Sequence, residues 1–152
     1  MEVKDAMAKF PVFCSPETNL AAAVEIMWNR NCGILPVVDA HRKVVGVLTD
    51  RDIAIATGTG NRRAVEIKAA EVATRKVQSC KPNDDVRWAL DTMAENKVRR
   101  LVVVNEANEL EGVLSLDDVV LYGTDLSSDD VLRALRTLYS PQLAARAAGV
   151  KH

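Results

Sequence analysis

The chain has 152 residues, 48% of them hydrophobic and 27% charged, with a formal net charge of −1. That length holds one domain with a proper core, or two small halves that share one. The balance is that of a folded globular chain, not of a disordered or membrane-spanning one. A near-neutral chain has no global electrostatic reason to seek nucleic acid or an anionic lipid surface, so neither is an expected partner.

The first stretch, MEVKDAMAKFPVF, carries charges at Glu2, Lys4 and Asp5 and lacks the unbroken apolar run of a secretory signal. A cytoplasmic address is the expectation. A short segment ending in proline, FPVFCSP, leads to a helix-period stretch with Leu20, Val24 and Met27 on one face and Asn19 at the N-cap position. Two β-branched runs follow, GILPVVD and KVVGVLT, split by the polar turn DAHR as in a hairpin. The second run passes directly into a helical segment, DRDIAIA, and GTGNRR (58–63) reads as a loop.

The chain then repeats itself. Shifted by 66 positions, residues 10–54 lie over residues 76–120 without a gap, and 11 of those 45 pairs are identical, among them Cys14/Cys80, Met27/Met93, Gly46/Gly112 and Asp52/Asp118. Chance matching at roughly one position in fifteen would give about three. The second copy has RKVQSCKP, then Asp85 as N-cap to a stretch with Val86, Leu90 and Met93 on one face, then RRLVVVN and ELEGVLS around NEAN, then LDDVVLY. The repeat stops at Gly123. Ser127 to Asp130 reads as a capped helix start with Val131, Leu135 and Leu138 on one face; Pro141 is expected to break it, with PQLAARAA restarting a short helix. The expected organisation is a first repeat over 1–60, a second over 61–124 and a helical tail over 125–152.

The candidate chemistry lies where each hairpin meets its helix, in GVLTDRD and GVLSLDD. Thr49 and Ser115 end strands, and Asp52 and Asp118 fall in the first turn of the next helix. An aspartate so placed has oxygens to accept from the paired hydroxyls of a ribose, while the hydroxyl residue donates to a phosphate oxygen beside free helix N–H groups. The same pattern is also an ordinary helix cap. Its recurrence at the end of the same strand in both halves favours a binding site made twice. Gly46 and Gly112, without a Cβ, permit close approach of a neighbouring backbone or a flat ring.

With those motifs in hand, each half resembles a CBS domain, named after cystathionine β-synthase, and residues 1–123 look like a CBS pair, or Bateman module. VRRLVVVNEANELEGVLSLDD is similar to a nucleotide-binding repeat of the AMP-activated protein kinase γ subunit. TDRDIAIA and the tail with LYSPQLA look like stand-alone bacterial proteins of the hypoxic-response-protein type. The resemblance implies an α+β fold of two tandem β-α-β-β-α units packed with pseudo-twofold symmetry, with clefts for adenosine-containing ligands. It assigns Asp52 and Asp118 to ribose hydroxyls, Thr49 and Ser115 to ribose or phosphate, Arg99 and Arg100 to phosphate, and Val98 and the backbone near Ala70 to adenine. Gly33 and Ile34 stand where the second half has Arg99 and Arg100, which leaves Arg51 as the compensating charge. The bland alternative for the two arginines is a solvated surface pair.

Three cysteines without CxxC spacing and two histidines, His41 and His152, indicate neither a disulfide framework nor a metal site. Cys14 and Cys80, at equivalent positions, read as small buried residues with a redox switch as the alternative. Trp28 and Trp88 read as core or interface fillers, and Trp28 suits a dimer contact. No catalytic constellation, Walker loop or GxGxxG is present, so no enzymatic activity is expected and no cofactor is required. The expected function is a regulatory sensor for AMP, ADP or ATP, with S-adenosylmethionine, NAD or a cyclic dinucleotide left open. Ligand there would tie the halves together and signal to an unknown regulated protein. A homodimer formed through helices is implied. The alternative is a CBS-fold interaction scaffold that has lost ligand binding.

Overall fold

The computed structural model of the protein describes residues 1–147. It is a mixed α+β chain that divides into two compact units, and these cut across the repeats. One unit comprises Met1–Lys9, Gln78–Val103 and the segment from Gly112 onward; the other comprises Phe10–Val77 and Val104–Glu111.

In the unit that holds Phe10–Val77, helix α2 (Leu20–Arg30) is followed by the hairpin β2 (Ile34–Val38) and β3 (Val44–Thr49) and by α3 (Asp50–Thr59). The hairpin pairs Leu35 with Leu48 and Val37 with Gly46, shifting register at Val38. Its turn is fixed by Asp39, whose Oδ1 accepts from the N–H groups of His41 (2.8 Å) and Lys43 (2.9 Å). Cys14 bridges to Val37 in parallel and Thr74 to Val47 in antiparallel sense, so a short strand flanks the hairpin on each side. A 3₁₀ turn (Ala64–Glu66) and α4 (Ala69–Val72) complete the unit.

The other unit has the same plan. Helix α1 (Val3–Ala6) and strand β1 (Ala8–Lys9) come first in the chain, then β4 (Ser79–Cys80), α5 (Val86–Asn96), β5 (Arg100–Val104), β6 (Leu110–Ser115) and α6 (Leu116–Tyr122). The sheet order is β1-β6-β5-β4. β4 runs parallel to β5, with Cys80 against Val103, and β1 runs antiparallel to β6, with Lys9 against Gly112. These pairings are the first unit's bridges shifted by 66 positions. Each unit therefore takes its outer strand from the segment that precedes the other repeat.

The two glycines of the repeated GVL motif explain how that strand fits. A Cβ at Gly112 would stand 2.6 Å from Met7 Sδ and 2.9 Å from Ala8 O, and one at Gly46 would stand 3.3 Å from both Ala73 Cβ and Thr74 O. The close approach is to the carbonyls of Ala8 and Thr74 and to the side chains of Met7 and Ala73, so that approach of a neighbouring backbone, one of the two uses expected of them, is part of it.

Asn19 and Asp85 cap their helices as expected: Asn19 Oδ1 accepts from Ala22 N at 2.9 Å and Asp85 Oδ1 from Arg87 N at 2.7 Å. The buried stripe of α5 includes Val86, Leu90 and Met93. In α2 the expectation needs correction, because the buried residues are Leu20, Ala23 and Met27 whereas Val24 is 45% exposed. Periodicity alone does not distinguish the phase set by a small alanine from that set by a valine one position on. Gly58, expected in a loop, lies inside α3, which continues to Thr59 and whose N–H at Gly60 donates to Ala56 O.

Each unit has its own core. Val3, Leu90, Met93, Leu101 and Leu114 form one, and Leu20, Leu35, Val37 and Leu48 form the other. Cys14 and Cys80 sit in these two cores, 3% exposed each. Burial pushes the Cys14 thiol up to about 11, and burial together with the Asp84 carboxylate pushes that of Cys80 up to about 12. Both are then protonated and unreactive at neutral pH. In the folded protein a thiol-reactive dye is expected to label partly exposed Cys32 first, and Cys14 and Cys80 only on unfolding. Rapid labelling of all three by mass spectrometry would instead support the redox reading.

The tail forms one helix, α7 (Ser128–Ala147), which corrects the expected break at Pro141. A proline leaves the carbonyl four residues earlier without its N–H partner. That carbonyl, of Thr137, accepts from Lys97 Nζ and from Ser140 Oγ (3.0 Å), which replaces the lost bond. Residues 148–152, with His152, lie outside the described residues. At the helix start Asp130 accepts from Ser127 Oγ (2.7 Å) and pairs with Arg87. The Ser127 hydrogen bond and the Arg87 guanidinium hold its carboxyl down at about 2, below its ordinary 3.8. The stability this adds is complete above 3.8 and lost as pH falls toward about 2. Urea titrations of the wild type and Asp130→Asn should therefore differ at neutral pH and converge across that acid window.

Candidate functional site

Each hairpin enters its helix through a capping box. Thr49 Oγ1 accepts from Asp52 N at 3.2 Å while Asp52 Oδ2 accepts from Thr49 N at 3.0 Å. Ser115 Oγ accepts from Asp118 N at 3.1 Å, and Asp118 Oδ2 accepts from Ser115 N (2.8 Å) and Ser115 Oγ (2.6 Å). The local cap is thus real in both halves. Oδ1 of each aspartate lies outside the box, and all four residues are half-buried.

The surroundings of the two boxes differ in charge. Leu116 N donates to Arg99 O at 2.8 Å, which ties the start of α6 to the residue before β5. Arg99 is exposed and Arg100 half-buried, and among the described residues neither forms an ion pair. The matching bond in the other unit runs from Asp50 N to Gly33 O at 3.2 Å. There a Cβ on Gly33 would stand 2.9 Å from Asp50 Oδ2, so a carboxylate covers the position whose equivalent carries Arg99. Arg51 next to it is exposed, with its N–H donating to Asp50 Oδ1 at 2.8 Å.

Val98 packs against the core of its unit, its N–H donating to Met93 O at 3.0 Å. Ala70 lines a cavity of about 270 Å³ together with Pro16, Val37, Val45, Gly46, Ala73 and Arg75. Its N–H is already engaged, donating to Pro16 O at 3.0 Å. Thr49, Arg51 and Asp52 do not line this cavity. Thr49 lies four residues beyond Val45 on the same face of β3, about 13 Å along the strand at ~3.3 Å per residue.

Two residues escaped the sequence reading. Arg75 is the one charged member of the cavity lining, and the signal for it was present, since its repeat equivalent is the basic Lys9. Asp50 is the other, because nothing in the sequence placed its carboxylate over Gly33. Among the described residues no three His, Cys, Asp or Glu side chains come together to hold a metal ion, and no helix is long and apolar enough to cross a membrane.

Comparison with known proteins follows this architecture. The CBS domain family model matches residues 3–57 and 69–125. The CBS domain-containing protein YhcV of Bacillus subtilis is 34% identical over 119 residues, covering 78% of this chain and 83% of the relative. Longer curated relatives, some named as enzymes, are matched only in part, down to 22% of their length. The CBS domain pair of protein MJ0100, solved in complex with 5′-methylthioadenosine and S-adenosyl-L-methionine, superposes with a TM-score of 0.74 at 26% identity, covering 83% of this chain and 98% of that one. Hypoxic Response Protein I, solved with two coordinated zinc ions, gives a TM-score of 0.73 at 26% identity, covering 80% and 98%. The zinc ions are that protein's. With both repeats matched over most of their length, the chain belongs to the CBS domain family and carries two CBS repeats.

Proposed function

We propose that this protein is a regulatory module that binds an adenosyl compound, of the AMP, ADP or ATP type, and has no catalytic activity of its own. The observation that carries the reading is the cavity of about 270 Å³ between apolar walls, with Gly46 and Ala70 on it and Arg75 as its charged lining residue. Small-molecule pockets run to about 300–1,000 Å³, so this space seats a flat base and leaves the rest of the ligand to the surface. Arg75 then meets an anionic group, Thr49 lies further along β3 and Asp52 in the first turn of α3. In the other unit Ser115 and Asp118 offer a hydroxyl and a carboxylate beside Arg99 and Arg100. S-adenosylmethionine and NAD are the other adenosyl compounds to be tested. A ligand signals only by differential affinity for two states of the module, and the recipients of that signal are a second copy of the chain and a regulated protein in the cytoplasm.

A second reading, a scaffold without ligand, is favoured by one observation: Asp52 and Asp118 already serve as caps, and Asp50 puts negative charge where a phosphate would need a cation. Thermal unfolding against AMP, ADP, ATP, 5′-methylthioadenosine, S-adenosylmethionine and NAD separates the two. A ligand at about 100 times its Kd adds roughly 2.7 kcal/mol, or several degrees in Tm. Arg75→Gln should reduce the shift given by a phosphate-bearing compound and spare that given by 5′-methylthioadenosine. Absence of a shift with every compound, in folded and nucleotide-free protein, selects the scaffold.

A further inference from the structure

The internal repeat allows the cavity beside Gly46 to be compared, residue by residue, with its counterpart beside Gly112. A shift of 66 positions carries Pro16, Val37 and Gly46 unchanged into Pro82, Val103 and Gly112, and Arg75 into the cation Lys9. The backbone is the same as well. Ala70 N donates to Pro16 O at 3.0 Å and Lys4 N to Pro82 O at 2.8 Å, and Thr74 bridges to Val47 as Ala8 pairs with Val113. The small and apolar positions are not kept: Lys4, Met7 and Glu111 stand in place of Ala70, Ala73 and Val45.

Of these exchanges, Met7 for Ala73 changes the space most directly. A Cβ built on Gly46 would meet Ala73 at its methyl, 3.3 Å away, whereas one built on Gly112 would stand 2.6 Å from Met7 Sδ and 3.2 Å from Met7 Cγ. Met7 therefore lies across the glycine, half-buried against the core of its own unit. Lys4 is anchored beside Pro82, its Nζ donating to Asn83 Oδ1 at 3.0 Å and pairing with Glu2. The glycine and the cation are thus kept, and the space between them is taken by a thioether.

We propose, on the reading that the cavity beside Gly46 seats an adenosyl base, that Met7 plugs the equivalent seat beside Gly112 and makes the chain's two sites unequal. The seat lined by Ala70 and Ala73 is open and fills first. The seat beside Gly112 fills only when Met7 swings aside, which an unbranched side chain with three rotatable bonds can do without moving the backbone. A site whose open state is populated a tenth to a hundredth of the time binds about 10- to 100-fold more weakly than the same site held open. Met7 is in this sense a positioning residue, setting the order in which the sites fill.

The test is calorimetric titration of the full, nucleotide-free chain with AMP, for the wild type, Met7→Ala and the reciprocal Ala73→Met, each shown to be folded by circular dichroism. The wild type should bind one AMP in a first step and a second about 10- to 100-fold more weakly. Met7→Ala should strengthen the second step about tenfold or more, and Ala73→Met should weaken the first by a similar factor. An NMR cross-peak between the Met7 γ-protons and the Gly112 α-protons in the ligand-free protein reads the plug without any ligand. Two equal steps in the wild type, a Met7→Ala titration identical to that of the wild type, or absence of that cross-peak overturns the plug while the adenosyl reading stands. No heat above dilution from any of the three proteins removes the adenosyl reading and the plug with it, an outcome set apart from the others by the loss of all binding.

Discussion

An aspartate in place of Val3 should remove most of the stability of the unit that contains it, although residue 3 lies at the very start of the first repeat. Val3 is 0% exposed and shares a core with Leu90, Met93, Leu101 and Leu114, all from the second repeat. Losing a buried valine costs about 1.5–3 kcal/mol, and an unpaired carboxylate among those side chains adds several more. Against the ~5–15 kcal/mol that holds a typical domain together, little remains. Ala69, at the equivalent position of the second repeat, is also 0% exposed and packs in the other core, so Ala69→Asp should do the same there. Urea unfolding followed by circular dichroism measures both. Wild-type midpoints for the two variants would mean that these segments do not hold the cores as described.

Asp118→Asn should reduce affinity for an adenosyl ligand by roughly 10- to 100-fold while leaving the protein's stability close to wild type. The side-chain amide retains an oxygen for Ser115 N, so the box persists, but the charged acceptor for paired hydroxyls is gone; hydrogen bonds to a charged group contribute about 1.5–3 kcal/mol. Ser115→Ala is the complementary change. It removes the hydroxyl that accepts from Asp118 N and should cost about 1 kcal/mol of stability as a lost cap. Calorimetric titration with denaturation of the same variants separates the two roles. If Asp118→Asn binds ligand as the wild type does, the box is a cap alone and the scaffold reading gains.

Much of this architecture was legible in the sequence because it is local. The hairpins follow from β-branched runs around Asp39 and Asn105, whose side chains tie the turns, and the helix starts follow from Asn19, Asp85 and Ser127. The 66-residue shift then carried each assignment from one half to the other. Other features depend on contacts distant in sequence. Val24 was expected to be buried because the spacing of apolar residues allows it; only the position of the sheet shows that Ala23 and Met27 face the core. Pro141 was expected to stop a helix, and it does not because Lys97, 40 positions from Thr137, satisfies the carbonyl it frees. The reciprocal exchange of outer strands was hidden for the same reason, since Gly46 and Gly112 announce a close approach without naming the backbone that approaches. At the site, the hydroxyl and aspartate of each junction were found, whereas the opposing charges of Asp50 and Arg99 and the place of Arg75 on the cavity emerged only with the fold.

The most direct test of the adenosyl-binding claim is isothermal titration of nucleotide-free protein with AMP. The proposed function predicts a saturable heat with one or two molecules bound per chain and a loss of affinity in Asp118→Asn and Asp52→Asn. Heats no larger than dilution, from folded protein and repeated with ATP and S-adenosylmethionine, would contradict it.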